Sequence, residues 1–125
     1  MRHARLADMT RGWLVGDFHP TALHSDAVEV AVRYYAAGET EALHHHRIAT
    51  EVTVVVSGEI EMLGRVWGPG DIVVVEPGEA TTFRAREQSC CVVVKQPGVT
   101  ADKYAGSQTD QQLPRDANAL GKFQM

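Results

Sequence analysis

From Ala27 onward, apolar and polar positions alternate with a period of two. Val28, Val30, Val32 and Tyr34 interleave with Glu29, Ala31, Arg33 and Tyr35, as in a strand with one covered face. The pattern leaves open which of the two sets faces inward. Gly38 closes this strand. Val52 to Val56 is a β-branched run stopped by Gly58, and Glu59 to Arg65 alternates again with a turn near Gly64. Pro69-Gly70 and Pro77-Gly78 bracket the apolar strand Ile72 to Val75. Thr81 to Arg86 alternates, and Cys91 to Val94 is the last clear strand. Short strands punctuated by Gly and Pro at intervals of about ten residues predict an all-β sandwich or barrel. No long window carries helical spacing, and no internal repeat is visible.

The ends read differently. Residues 1–25 hold one apolar cluster, Trp13, Leu14, Val15 and Phe18, and are interrupted by Gly12, Gly16 and Pro20. They predict an N-terminal arm laid across the domain or across a partner subunit. His19 and His24 fall in this arm as solvated loop residues. Residues 106–125 begin with a polar stretch from Gly106 to Gln112 and predict a loose tail, with one helical turn around Asp116 to Leu120.

Composition narrows the function classes. A chain of 125 residues suits one domain that buries roughly two-thirds of its unfolded surface. The net charge is −4 and the pI about 5.8; basic residues do not cluster, so no nucleic-acid partner is expected. No apolar run approaches the ~20 residues that cross a bilayer, and Met1 to Arg11 lacks the apolar core of a secretory signal. The expectation is a cytoplasmic protein with no membrane partner. Cys90 and Cys91 are adjacent and point to opposite faces of a strand, so they predict two reduced thiols, one inside and one outside.

The candidate chemistry lies between Gly38 and Gly58. His44 and His46 are two residues apart and share a face on a strand, while His45 faces the other way. Glu51 follows five residues later. Two imidazoles with a nearby carboxylate are typical ligands of one divalent transition metal: Mn, Fe, Ni, Co or Zn. His45 predicts an outward or interface histidine. Arg33 and Tyr35 are candidate pocket residues, since a guanidinium fork matches carboxylate and phosphate. Phe83, Met62 and Trp67 predict core or pocket wall.

The spacing carries a resemblance. The segment GETEALHHHRIATEVTVVVSG, Gly38 to Gly58, resembles the first motif of the cupin superfamily, with two glycines and three ligand-type residues in register. GDIVVVEPGEATTF, Gly70 to Phe83, looks like the second motif. The flanks GWLVGDF and KQPGVTADKY are similar to small single-domain cupins, and the resemblance covers about residues 27–95. It implies a double-stranded β-helix, or jelly roll, over 26–105, with His44, His46 and Glu51 as metal ligands at the barrel mouth. It also implies a homodimer, an expectation strengthened by Val-rich strands apolar on both faces. One position departs from the pattern: where cupins usually place a third histidine, this chain has Thr81. Two histidines and one carboxylate leave more coordination positions open, as in the facial triad of non-haem iron oxygenases. Thr81 is then a further candidate pocket residue.

The expected function is a metal-dependent enzyme of isomerase, lyase or oxygenase type acting on a small polar metabolite. The alternative is a non-catalytic cupin that binds or senses a small ligand. Tyr34, Tyr35, His24 and Glu79 are all acid–base types, and none stands out as catalytic.

Overall fold

The computed structural model describes residues 1–106 and the backbone of the short strand Lys122–Phe123. The tail expected over 106–125, including the helical turn around Asp116 to Leu120, otherwise lies outside the described residues.

The β-branched runs pair where the alternation predicts strands. In chain order they are β1 (Trp13–Gly16), β2 (Leu23–His24), β3 (Glu29–Tyr35), β4 (Thr40–His45), β5 (Thr50–Ser57), β6 (Ile60–Met62), β7 (Arg65–Trp67), β8 (Ile72–Val75), β9 (Ala80–Ala85), β10 (Ser89–Gln96), β11 (Lys103–Ala105) and β12 (Lys122–Phe123). One 3₁₀ turn, Leu6–Asp8, precedes them. Among the described residues the strands form two sheets, β2-β1-β3-β10-β5-β8 and β12-β11-β4-β9-β6-β7. The arm over 1–25 thus supplies β1 and β2 to the first sheet. No helix of the described residues is long and apolar enough to cross a membrane.

Register fixes which face is covered. On the first sheet the odd set of β3 turns inward: Glu29, Ala31 and Tyr35 are buried and Arg33 is half-buried, whereas Tyr34 is exposed. The valines of the even set therefore lie on the outer face. Trp13, Ala31, Val55, Ile60, Met62, Val73, Phe83, Ala85, Cys91 and Val93 fill the space between the sheets. Cys91 is fully buried and Cys90 partly so, and both are free thiols. Burial pushes the Cys91 thiol up to about 11. On the second sheet Arg84 and Arg86 alternate outward and reach Glu61 and Glu59.

Two glycines are required by close approach. Gly12 has φ +83° and a side chain there would strike the carbonyl of Val32, whose N–H bonds to the Gly12 carbonyl at 3.0 Å. Gly58, with φ +85°, lies against Ser89 and the carbonyl of Gln88. The first contact seats the arm on β3; the second closes the turn between β5 and β6.

The covered face has an apolar end and a polar end. Lys95 of β10 is the cross-strand partner of both Glu29 and Glu51, which makes a charged row at one end of the first sheet. The site is built there.

Candidate metal centre

A β-bulge aims the first candidate ligand. Glu41 pairs with Phe83 and His44 with Thr81, so three steps along β4 match two along β9. A bulge of this kind re-aims side chains at sheet margins and active sites. Here it sets Glu41 and His44 opposite the buried Phe83 and Thr81. His46 lies just past the end of β4. Residues 47–49 turn the chain into β5, whose Glu51 pairs with Lys95 and Val75. The sequence distance between His46 and Glu51 is thus spanned by one tight connection between the two sheets.

The three side chains converge. One ligand atom from each of His44, His46 and Glu51 lies within 4.8 Å of the others. The two imidazoles stand edge to face, 5.7 Å between centroids. Their tautomers are set by the backbone. Nδ1 of His44 donates to the Ala42 carbonyl at 2.8 Å and Nδ1 of His46 to the Asp102 carbonyl at 2.6 Å. A carbonyl only accepts, so each Nδ1 carries a hydrogen and each Nε2 is turned to the cluster, the arrangement that orients histidine ligands in metal sites. Nε2 of His46 lies 3.3 Å from Oε2 of Glu51. The donor set and spacing fit one divalent transition ion.

Asp102 braces this geometry, and nothing in the sequence reading singled it out. Its side chain is buried and accepts from the N–H groups of Arg47 at 3.0 Å, Ile48 at 3.0 Å and Ala49 at 2.8 Å. One residue therefore holds both the ring of His46 and the connection that carries the chain to Glu51.

Charge tuning favours the ligand forms. Burial lowers the pKa of His44, opposed by its bond to Ala42. Burial raises that of Glu51, but the hydrogen bond from His46 and the charges of Lys95, His46 and His44 outweigh it and hold the carboxyl at about 2. Burial lowers the pKa of Lys95, against Glu51 and Glu29; its Nζ lies 5.0 Å from the Trp13 ring centre. Burial raises the pKa of Glu29, whose carboxylate oxygens have no hydrogen-bond partner among the described residues.

The cluster opens into a cavity of about 280 Å³. Arg33 and Tyr35 line it together with His44, His46 and Glu51. Phe83 and Thr81 are not among its lining residues. Phe83 lies beneath, its ring 4.4 Å from that of Tyr35. The Thr81 hydroxyl accepts from the Leu63 N–H at 2.9 Å and donates to the Thr82 carbonyl at 2.7 Å. It serves the backbone where a histidine would have offered a ring nitrogen. His45 faces away from the cluster, yet it is 1% exposed because Tyr104 of β11 stacks on it at 5.5 Å. Trp67 packs against the core and donates to the Met62 carbonyl at 2.9 Å. Of the acid–base candidates, Tyr34 is exposed, His24 bonds Asp17 on the surface, and Glu79 accepts from the Glu76 N–H in a turn.

Two sheets closed over a histidine–carboxylate cluster at one end define a double-stranded β-helix. Solved structures place the chain among proteins with the cupin fold. An uncharacterized conserved protein with a double-stranded β-helix domain from Klebsiella pneumoniae matches with 28% identity and TM-score 0.54, over 59% of this chain and 66% of that one. The DMSP lyase DddQ from Ruegeria pomeroyi matches with 25% identity and TM-score 0.62, over 74% of this chain and 49% of that one. An RmlC-like cupin from Shewanella frigidimarina, at 21% identity and TM-score 0.55 over 58% and 68%, shares the fold. The chain thus spans about half the length of the DMSP lyase and 66% of the Klebsiella protein. No family profile and no curated protein sequence matches it.

Proposed function

We propose that this chain binds one divalent transition metal through His44, His46 and Glu51 and acts as a metal-dependent enzyme on a small polar metabolite, of isomerase, lyase or oxygenase type. The observation that carries the reading is the convergence of the three ligand atoms at the wall of a cavity, with both Nδ1 hydrogens already committed to backbone carbonyls. Three protein ligands leave positions open for substrate, unlike a structural site closed by four. When bound, the metal supplies Lewis-acid stabilisation of charge developing on substrate oxygens. The chain's own residues do the rest. Tyr35 lines the cavity, and its hydroxyl has no partner among the described residues. Burial pushes its pKa upward, so Oη keeps its proton at neutral pH and is a hydrogen-bond donor to substrate oxygen. Phe83 behind it holds the ring in place. The lyase named among the similar structures supports an enzyme of this class.

The test is turnover. Hydroxy acids, keto acids, sugars and catechols are incubated with Mn-, Fe- and Zn-loaded protein and with Glu51→Gln. Product that forms with the wild type and is lost in Glu51→Gln supports the enzyme. Ligands that raise the melting temperature but are recovered unchanged with every metal would establish the alternative, a binding or sensing cupin.

A further inference from the structure

We infer that Arg33, with Arg11 beside it, forms an anion clamp in the cavity, and that the molecule this site takes is a small organic anion whose carboxylate or phosphate group lies against the two guanidinium groups. The inference deepens the enzyme reading and rests on its metal assignment for the charge balance of the cavity and for what the other end of the molecule does.

The charges lining the cavity are unequally satisfied. Lys103 pairs with Glu41 at 3.1 Å. Lys95 stands in register between Glu29 and Glu51. Arg33 and Arg11 differ from these: among the described residues neither makes an ion pair or a side-chain hydrogen bond. Glu39 lines the same cavity, yet no ion pair joins it to either arginine. With Glu41 matched by Lys103 and Glu51 assigned to the cation, the lining keeps two cationic residues, Arg11 and Arg33, against one acidic residue, Glu39. A bound divalent ion adds further positive charge. A neutral ligand would leave that field uncompensated in a partly enclosed space, where charges interact more strongly than in water.

Packing orients the Arg33 side chain, and backbone contacts fix the main chain next to Arg11. Arg33 projects from the covered face of β3, paired with Cys91. Its guanidinium carbon lies 5.0 Å from the centre of the Tyr35 ring, a contact that orients the plane while leaving the N–H fork free to meet an oxyanion. Arg11 has φ +50°, a left-handed conformation that costs energy outside glycine and gathers at functional sites. The adjoining Gly12 is locked against Val32, next to Arg33. Both arginines also border a second cavity, lined by Met9, Val32 and Tyr34, so they stand on the rim between the two. A volume of about 280 Å³ is at the lower bound of ligand sites and admits a small metabolite.

Calorimetric titration of malate, glycerol 3-phosphate and the neutral polyol erythritol tests this. Each is measured with the metal-loaded protein and again after metal removal. Arg33→Met keeps the side-chain stem over Tyr35 and removes the charge; Arg33→Lys keeps the charge and loses the fork; melting temperatures verify folding. One or both anions are expected to bind the wild type, and erythritol not. Arg33→Met should weaken anion binding roughly tenfold or more, Arg33→Lys by less, and Arg11→Ala by a smaller factor that falls with added salt. The preference between malate and glycerol 3-phosphate distinguishes carboxylate from phosphate. Anion binding that depends on Arg33 with metal removed supports the clamp even where no turnover is found. Anion binding that needs the metal but is unchanged in Arg33→Met would overturn the clamp and leave the metal reading standing. Equal binding of erythritol, or no binding of either anion by the wild type, would also overturn it.

Discussion

His44 and Glu51 meet the cavity in the protonation states that a cation requires. His44 is neutral below the ordinary imidazole value of 6.5, because burial disfavours its charged form. Glu51 stays ionised down to about pH 2. The two contributions to stability have the same sign. A depressed histidine binds fewer protons folded than unfolded, so its contribution is lost as pH falls below 6.5 toward the folded pKa. Glu51 contributes fully above its ordinary value of 4.5 and loses this as pH falls through about 2. Proton competition with a metal at these two groups therefore sets in only below 6.5. Glu29 has the opposite sense: its raised pKa makes the folded state the tighter proton binder, so its ionisation opposes folding as pH climbs above 4.5.

The connection between β4 and β5 is held by a residue far away in sequence. Asp102 accepts three backbone N–H groups of residues 47–49 through its carboxylate, and its carbonyl fixes His46. Asp102→Ala leaves the carbonyl in place and strands the three donors. It should cost about 2–4 kcal/mol and weaken metal binding, with Asp102→Asn intermediate because one acceptor oxygen remains. Chemical denaturation and chelator competition measure the two effects; an Asp102→Ala protein with wild-type values for both would show that the carboxylate does not brace the connection. The same element explains what the sequence could disclose. The alternation around Val30, the Val52 and Ile72 runs and the Gly/Pro turns disclose most strands, since each signal is local. The histidine pair and Glu51 are legible because their spacing is short. The bulge that lets Glu41 and His44 both oppose covered residues of β9 leaves no local mark. Nor does Asp102, whose partners lie more than fifty positions earlier. The inward set of β3 was not legible either, because an interior that holds a charged cluster reverses the usual rule and turns Glu29 and Arg33 in while Val30 and Val32 face out.

That reversal shapes the whole molecule. Two cross-strand rows cover the outer face of the first sheet: Val32, Val92, Val54 and Ile72, then Val30, Val94, Val52 and Val74. Four strands at a spacing of about 4.8 Å make the patch roughly 15–20 Å across. Ile72 is 61% exposed and Val74 49%, and the rows contain no charge. A continuous apolar face of this kind marks an interface, and an uncharged patch can pair with its own copy about a two-fold axis. We propose a homodimer through this face. Light scattering at micromolar concentration should give twice the chain mass of 13.7 kDa. Val92→Lys, which sets an ammonium in the middle of the patch, should shift the mass to that of one chain. A wild-type protein with the mass of a single chain would contradict the dimer.

Metal affinity of the wild type against His44→Ala, measured by chelator competition with zinc and manganese near neutral pH and again well below 6.5, tests the central claim most directly. One ion per chain is expected at neutral pH, weakened roughly a hundredfold or more when a ligand is removed, and weakened in the wild type only on the acid side. Equal metal content and affinity in both proteins would contradict the assignment of His44, His46 and Glu51 as the metal centre.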